Sequence, residues 1–424
     1  MGVSLGFHII FACVGMVMPF LMVAAHGLWL KRKDKTYYDL TLAWSKGVAI
    51  LFASGAVSGT VLSFELGLLW PTFMKHAGPI IGMPFSLEGT AFFLEAIAIG
   101  VYLYGWDRVH PLVHWCSGMV VGISGIASGI FVVAANSWMN SPSGFDWING
   151  QAYNVDPIKA MFNPAWPSQA LHMMIASFEA VGFGVAGIHA FLLLKDPQNV
   201  LHQKAIRIAV WVGVIAALVQ PLSGDFSAKD IAKRQPLKLA AAEAHFKTQT
   251  FAPLRLGGIP DMKEEKVDYS LEIPGGLSLL AFLDPHAEVK GLDAFPREEW
   301  PPVPVVHYAF QLMVACGVFL TAVAVIFIVG NFFNRKWLFN RRFLKALAFC
   351  TPLGFIAIEA GWTVTEVGRQ PWIIYGIMKT KDALTPMPGL VVPFILITSV
   401  YVFLSVVVTW LMIRQFKVVA RRVY

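Results

Sequence analysis

Charge is scarce in this sequence. Asp, Glu, Lys and Arg make up 14% of its 424 residues, against roughly 25% in an ordinary soluble domain. A globule of this size could not cover its surface with so few charges, so a water-soluble enzyme is excluded. The 56% of hydrophobic residues excludes a disordered chain as well. Cysteine is also sparse. Cys13, Cys116, Cys316 and Cys350 all lie in apolar stretches, and none belongs to a C-x-x-C or C-x-x-C-H pattern. This speaks against structural disulfides and covalent c-type haem attachment, and reads all four as small core residues. Internal repeats and low-complexity tracts are lacking too.

Long apolar runs are what the sequence has in quantity. A bilayer span takes about 20 consecutive, mostly apolar residues. Nine such spans are predicted, at 4–30, 42–64, 86–105, 112–134, 168–194, 205–222, 304–330, 343–366 and 389–413. The first lacks a basic n-region and ends in Lys31-Arg32-Lys33 rather than a small-residue cleavage site, so it reads as a retained helix. The expected fold is an all-α polytopic membrane protein.

The formal charge of +7 raises the question of nucleic acid. The placement of the basic residues answers it. One alternating set of loops, with the C-terminal tail, holds Lys31, Arg32, Lys33, Lys35, Lys46, Arg108, Lys195, Lys204, Arg207, Arg335, Lys336, Arg341, Arg342, Lys345, Arg414, Lys417, Arg421 and Arg422. The opposite short loops hold only Lys75, Lys159, Arg369, Lys379 and Lys381. Short cytoplasmic loops carry the Lys/Arg excess. The N-terminus is therefore expected outside and the C-terminus in the cytoplasm, with no nucleic-acid partner. Three regions follow: spans one to six over 1–223, a charge-rich external segment over 224–303, and spans seven to nine over 304–424. Within the external segment, 236–247 reads as a short helix.

An ionisable group at bilayer depth costs several kcal/mol, so each one is a functional hypothesis. His8, Glu88, His172, Met313 and Glu366 gather near the outer ends of spans one, three, five, seven and eight. Glu95 follows Glu88 by seven residues, and Glu366 follows Glu359 by the same step, so each pair shares a helix face. Such acids suit metals, protons or substrate. Neither pair shows the Glu-x-x-His pattern of di-iron carboxylate bundles. Histidine, methionine and carboxylate have the chemistry of axial haem ligands. An intramembrane histidine is also a common helix–helix hydrogen-bonding residue. Nothing separates His110, His114 and His307, near span ends, from solvated residues. Composition and spacing reach a polytopic membrane protein with buried acids, but not a reaction.

Motifs take the reading further. Glu359-Ala360-Gly361-Trp362 precedes Glu366-Val367, which runs directly into Gly368-Arg369-Gln370-Pro371-Trp372. Together with Leu87-Glu88-Gly89, Phe92-Phe93-Leu94-Glu95 and Gly105-Trp106-Asp107-Arg108, these closely resemble subunit I of cytochrome bd-type quinol oxidases over essentially the whole chain.

The resemblance implies a terminal oxidase of the bacterial plasma membrane, which oxidises a membrane quinol at its outer face and reduces dioxygen to water. Its cofactors would be a low-spin haem b, a high-spin haem b and a haem d, or a second high-spin haem b in place of haem d. By the resemblance, His172 and Met313 match the low-spin haem ligands, and His8 and Glu366 match high-spin haem ligands. Glu88 matches an acid at the high-spin pair. The likeness does not divide His8 and Glu366 between haem d and haem b. Glu95 resembles the acid of the proton route, Trp362 the aromatic between the haems, and Arg369 the arginine of the GRQPW segment at the cofactor. Lys238 and Glu243 match the quinol residues of the external loop. A subunit II of related fold and a single-span small subunit are the implied partners.

Three departures from the family pattern stand out. Gln311 occupies the position, two before Met313, where well-known members carry an arginine that acts on the low-spin haem. The loop after Asp261 is short, and little precedes span one. The competing readings are a proton-coupled secondary transporter, using Glu88, Glu95, Glu359 and Glu366, and a b-haem electron-transfer anchor. Transporters tend to show repeated halves with broken helices at matching positions, a pattern not seen here. An anchor would need His172 and Met313 but not His8 and Glu366.

Overall fold

A computed structural model describes the backbone of residues 1–421 and their side chains except those of 335, 336 and 416–421. Arg335, Lys336, Lys417, Arg421 and Arg422, counted above, therefore have side chains outside the described residues. Fourteen helices follow in order: α1 Gly2–Arg32, α2 Lys35–Leu69, α3 Pro71–Tyr104, α4 Pro111–Asn140, α5 Pro157–Met161, α6 Trp166–Lys195, α7 Val200–Arg234, α8 Pro236–Ala242, α9 Gly276–Phe282, α10 Val303–Phe333, α11 Arg341–Cys350, α12 Leu353–Val367, α13 Thr380–Ala383 and α14 Val391–Arg421. Among the described residues, nine segments are long and apolar enough to cross a bilayer, with α11 and α12 together forming the eighth.

Local chemistry sets the breaks. Asp34 caps α2 by accepting from the Thr36 N–H at 2.9 Å, and it also pairs with Lys204 of α7. The eighth span divides because Pro352 lacks an N–H and restricts Thr351 before it. The third span begins fifteen residues before its predicted start. Pro79 and Pro84 suggest a loop there, yet Phe73, Ala77, Ile80 and Ile81 are buried against Ala135, Trp138, Ile373 and Ile374, and this packing holds the prolines inside a helix.

With lipid on the outside, apolar burial does not by itself drive helices together, so small residues carry the contacts. The closest pair is α6 with α7. Gly182 meets the backbone of Gly213, and any Cβ at Gly182 would collide with it. Ala186, Ala190, Ala205, Ala209 and Ala217 are fully buried along the same two helices, while Ala180 packs against Gly354 of α12. Cys13, Cys316 and Cys350 are buried as expected, whereas Cys116 is exposed and is not a core residue.

The segment between α7 and α10 carries two antiparallel pairs, Leu254–Leu256 (β1) with Leu271–Ile273 (β2), and Ile259–Asp261 (β3) with Lys266–Asp268 (β4). Its short helix ends earlier than predicted, at Ala242. Ala244 adopts a left-handed φ of 47°, the His245 N–H bonds the Ala240 carbonyl at 2.7 Å, and the Ala244 N–H bonds the Ala241 carbonyl. This is the Schellman closure. It sets Glu243 at the helix end and turns His245 back under it.

Candidate functional site

The predicted site residues fall into two neighbouring groups. The first lies among α1–α4, α6, α7, α10 and α12. His8 on α1 has Nδ1 2.9 Å from the Ser58 hydroxyl of α2. That hydroxyl gives its own proton to the Ser54 carbonyl at 3.0 Å. Ser58 must then accept from His8, which puts the imidazole proton on Nδ1 and leaves Nε2 with a free lone pair. His172 on α6 repeats the device. Its Nδ1 is 3.1 Å from the Ser223 hydroxyl of α7, which donates to the Gln220 carbonyl at 2.8 Å. The Gln220 amide also lies 3.4 Å from either ring nitrogen.

Glycines stand opposite these residues. A Cβ at Gly59 would come to 3.0 Å from the His8 ring, and one at Gly361 to 3.0 Å from the Met313 sulfur. Of the two shared-face pairs, Glu88 and Glu95 both meet α4: Glu88 receives the Ser128 hydroxyl at 3.4 Å, and Glu95, buried two turns on, lies beside Gly125; Glu359 and Glu366 meet different helices, α1 at Gly6 and α4 at Asn136. Trp362 packs against the main core one turn before Glu366. Glu359 lines a cavity of about 600 Å³ with Ile10, Leu312 and Phe355, and its Oε1 has no partner.

Glu366 is held on both oxygens. Arg369 donates from Nη2 to Oε2 at 2.7 Å, and Asn136 of α4 donates to Oε1 at 2.5 Å. Arg369 is fully buried, and its Nε and Nη1 are unpartnered. Among the described residues, no three His, Cys, Asp or Glu side chains converge as a bare metal ion would need.

These residues fit haem. His8 presents a free Nε2 and His172 an Nε2 approached only by the Gln220 amide at 3.4 Å, a thioether and carboxylates lie at hand, glycines leave room for a flat group, and a buried guanidinium with spare N–H groups suits an anionic propionate.

The second group lies in the segment between α7 and α10. Lys238 and Glu243 are both buried. Burial holds the Lys238 ammonium well below the ordinary lysine range, assisted by the Arg369 charge and opposed by Glu366. Burial pushes the Glu243 carboxyl up to about 8, against the pull of Arg255. Burial, with Arg255 adding to it, drives His245 down to about 4.

The two groups are joined. Lys238 Nζ donates to Asn140 Oδ1 at 2.6 Å, Asn140 Nδ2 reaches Asn136 Oδ1 at 3.2 Å, and Asn136 reaches Glu366. The asparagines one turn apart, just past the end of a predicted span, are the sequence signal for this link. Of the span-end histidines set aside above, only His110 is exposed. His114 and His307 are buried. Gln311 has both ends of its amide engaged by backbone. It accepts from the Gly257 N–H at 3.0 Å and donates to the Arg255 carbonyl at 3.1 Å, clamping the β1–β3 turn to α10.

Known proteins resemble this chain over nearly its whole length. Residues 1–419 match the family model "Cytochrome bd terminal oxidase subunit I". A Bacillus subtilis (strain 168) protein provisionally named a cytochrome bd menaquinol oxidase subunit I is 36% identical over 98% of this chain and 95% of its own. A second from the same organism, cytochrome bd ubiquinol oxidase subunit 1, is 30% identical over 97% of this chain and 91% of its own. The solved bd oxidase from Geobacillus thermodenitrificans superposes with a TM-score of 0.92 at 40% identity, covering 98% of this chain and 96% of that one.

Proposed function

The chain belongs to the cytochrome bd terminal oxidase subunit I family and is a quinol:oxygen oxidoreductase subunit of a bacterial respiratory membrane, and from that premise we propose which of its residues carry the two half-reactions. Family membership replaces the transporter and anchor readings.

The enzyme is haem-bearing, and bound haem would supply one-electron storage and the binding and reduction of dioxygen. In our assignment His172 and Met313 hold the low-spin haem b. His8 and Glu366, with Glu88 beside them, serve the high-spin pair, haem d and haem b. Arg369 neutralises an anionic edge there and fixes Glu366, and Trp362 packs between the groups. Glu95, buried along α4, passes protons toward the oxygen site. Lys238 and Glu243 bind and deprotonate quinol. A subunit II completes the oxidase, and a single-span small subunit accompanies it.

One observation carries the assignment. His8 and His172 are each fixed by a serine whose proton is already committed, so each offers Nε2, the arrangement in which an outer-shell partner sets a ligand histidine. Optical spectra of dithionite-reduced membranes test it. His172→Ala and Met313→Leu should each remove the low-spin signal alone, and retention of that signal in both variants would refute the assignment.

Orientation is part of the proposal. With the basic loops inside, quinol protons leave outside while protons for water come from the cytoplasm, so turnover separates charge. Reconstituted enzyme that consumed oxygen without building a membrane potential would overturn this.

A further inference from the structure

The quinol pocket holds a second buried proton acceptor. His307, in the first turns of α10, is fully buried and lies against the end of α8. Its Nδ1 is 2.9 Å from the carbonyl of Ala242, the residue before Glu243. A carbonyl only accepts, so Nδ1 carries the proton, and in the neutral ring Nε2 is left as a lone-pair base. That Nε2 has no partner, and neither does either oxygen of Glu243. Arg255 is a common neighbour of both side chains. Buried acceptors left unpaired are costly, and two of them here flank one short stretch of backbone.

We propose that His307 Nε2 takes one quinol proton while the Glu243 carboxylate takes the other. This rests on the reading of Lys238 and Glu243 as the quinol site. A quinol loses two protons and two electrons on becoming quinone. One hydroxyl gives its proton to Glu243, which becomes the neutral acid, and the other gives its proton to Nε2, which becomes imidazolium. The electrons are those the oxidase delivers to dioxygen, with two quinols supplying four electrons for two waters. His245 is the other buried imidazole nearby, with Arg255 beside it and both ring nitrogens unpartnered, but no hydrogen bond fixes its tautomer, whereas the Ala242 carbonyl fixes that of His307 and leaves Nε2 as the base.

Full-chain oxidase carrying His307→Gln tests this, because the glutamine amide can still donate to the Ala242 carbonyl but is no base. Quinol-driven turnover should fall about 100-fold, the scale of a lost general base. Quinol KM should move little, haem spectra should stay intact, and oxygen uptake driven by ascorbate with a phenylenediamine dye should persist. In His307→Ala, added imidazoles should restore turnover in order of their basicity, which a packing role would not produce. Wild-type turnover in His307→Gln, or no rescue of His307→Ala with haem intact, overturns the proposal. Loss in His245→Gln in place of His307→Gln would move the acceptor to His245 and overturn it too. Glu243→Gln separates the two failures: if it and Lys238→Ala both oxidise quinol normally, the site reading itself is wrong.

Discussion

Asn136 donates to Glu366 at 2.5 Å across the α4–α12 interface and so fixes the carboxylate that precedes the GRQPW segment. Behind Asn136 stand Asn140 and then Lys238, so one hydrogen-bonded row runs from the segment between α7 and α10 to Glu366. Arg369 closes the other side of Glu366. A side chain with both oxygens committed before any cofactor binds is pre-organised, and the cost of leaving one of them unpaired is about 1–3 kcal/mol.

Replacing Asn136 with Leu should therefore lower occupancy of the high-spin haem site while the low-spin signal stays. Reduced-minus-oxidised spectra measure both. Asn136→Gln, which can still donate, should retain more of the high-spin signal than Leu. Equal loss in the two variants would mean that the space at Asn136, rather than its hydrogen bond, matters.

Glu243 gives a pH dependence with a definite sign. Its carboxyl sits near 8 because burial disfavours the charge. A proton acceptor works only as the carboxylate, so quinol oxidation should climb as pH rises through about 8 and fall away below it. Oxygen uptake from a one-electron dye should lack that limb. Glu243→Gln should remove the limb and cut quinol turnover about 100-fold with haem content unchanged. A limb that survived in Glu243→Gln would belong to another group.

Ser223 carries a separate prediction. Its hydroxyl is committed to the Gln220 carbonyl and holds His172 by Nδ1. Outer-shell partners of this kind typically affect affinity 10- to 100-fold. Ser223→Ala should keep the low-spin haem but weaken its retention during purification and shift its midpoint potential, whereas His172→Ala loses it outright. Redox titration of the variant decides between them.

Much of this was legible in the sequence, and the gaps have physical causes. Nine apolar runs gave nine spans because hydropathy reports the bilayer directly. Glu88 and Glu95 were placed on one face by a seven-residue step alone. Periodicity could not see Phe73 to Ile81 holding two prolines in a helix, since the partners Trp138 and Ile374 are remote in sequence. Ser58, Ser223, Asn136 and His307 were missed for a similar reason. A serine in a span usually bonds its own helix, and only the three-dimensional neighbour reveals whether it also receives an imidazole. His307 looked like a span-end residue at the water boundary until the end of α8 was seen to cover it.

Gln311 is where the family-based expectation and the structure part. An arginine there would act on the low-spin haem, but this glutamine uses both ends of its amide on backbone, Gly257 and Arg255, two residues before Met313. Its contacts are mechanical: it ties the turn after β1 to the helix bearing a proposed haem ligand. Gly258, at a φ of 108°, has the Val267 and Ser270 side chains against it, so the turn has little freedom to find another anchor. Gln311→Ala should raise quinol KM several-fold and make the 255–270 segment easier to cleave with protease. The midpoint potential of the low-spin haem should stay near the wild-type value, because no charge is removed. A shifted potential with an unchanged KM would return Gln311 to haem tuning and refute the clamp.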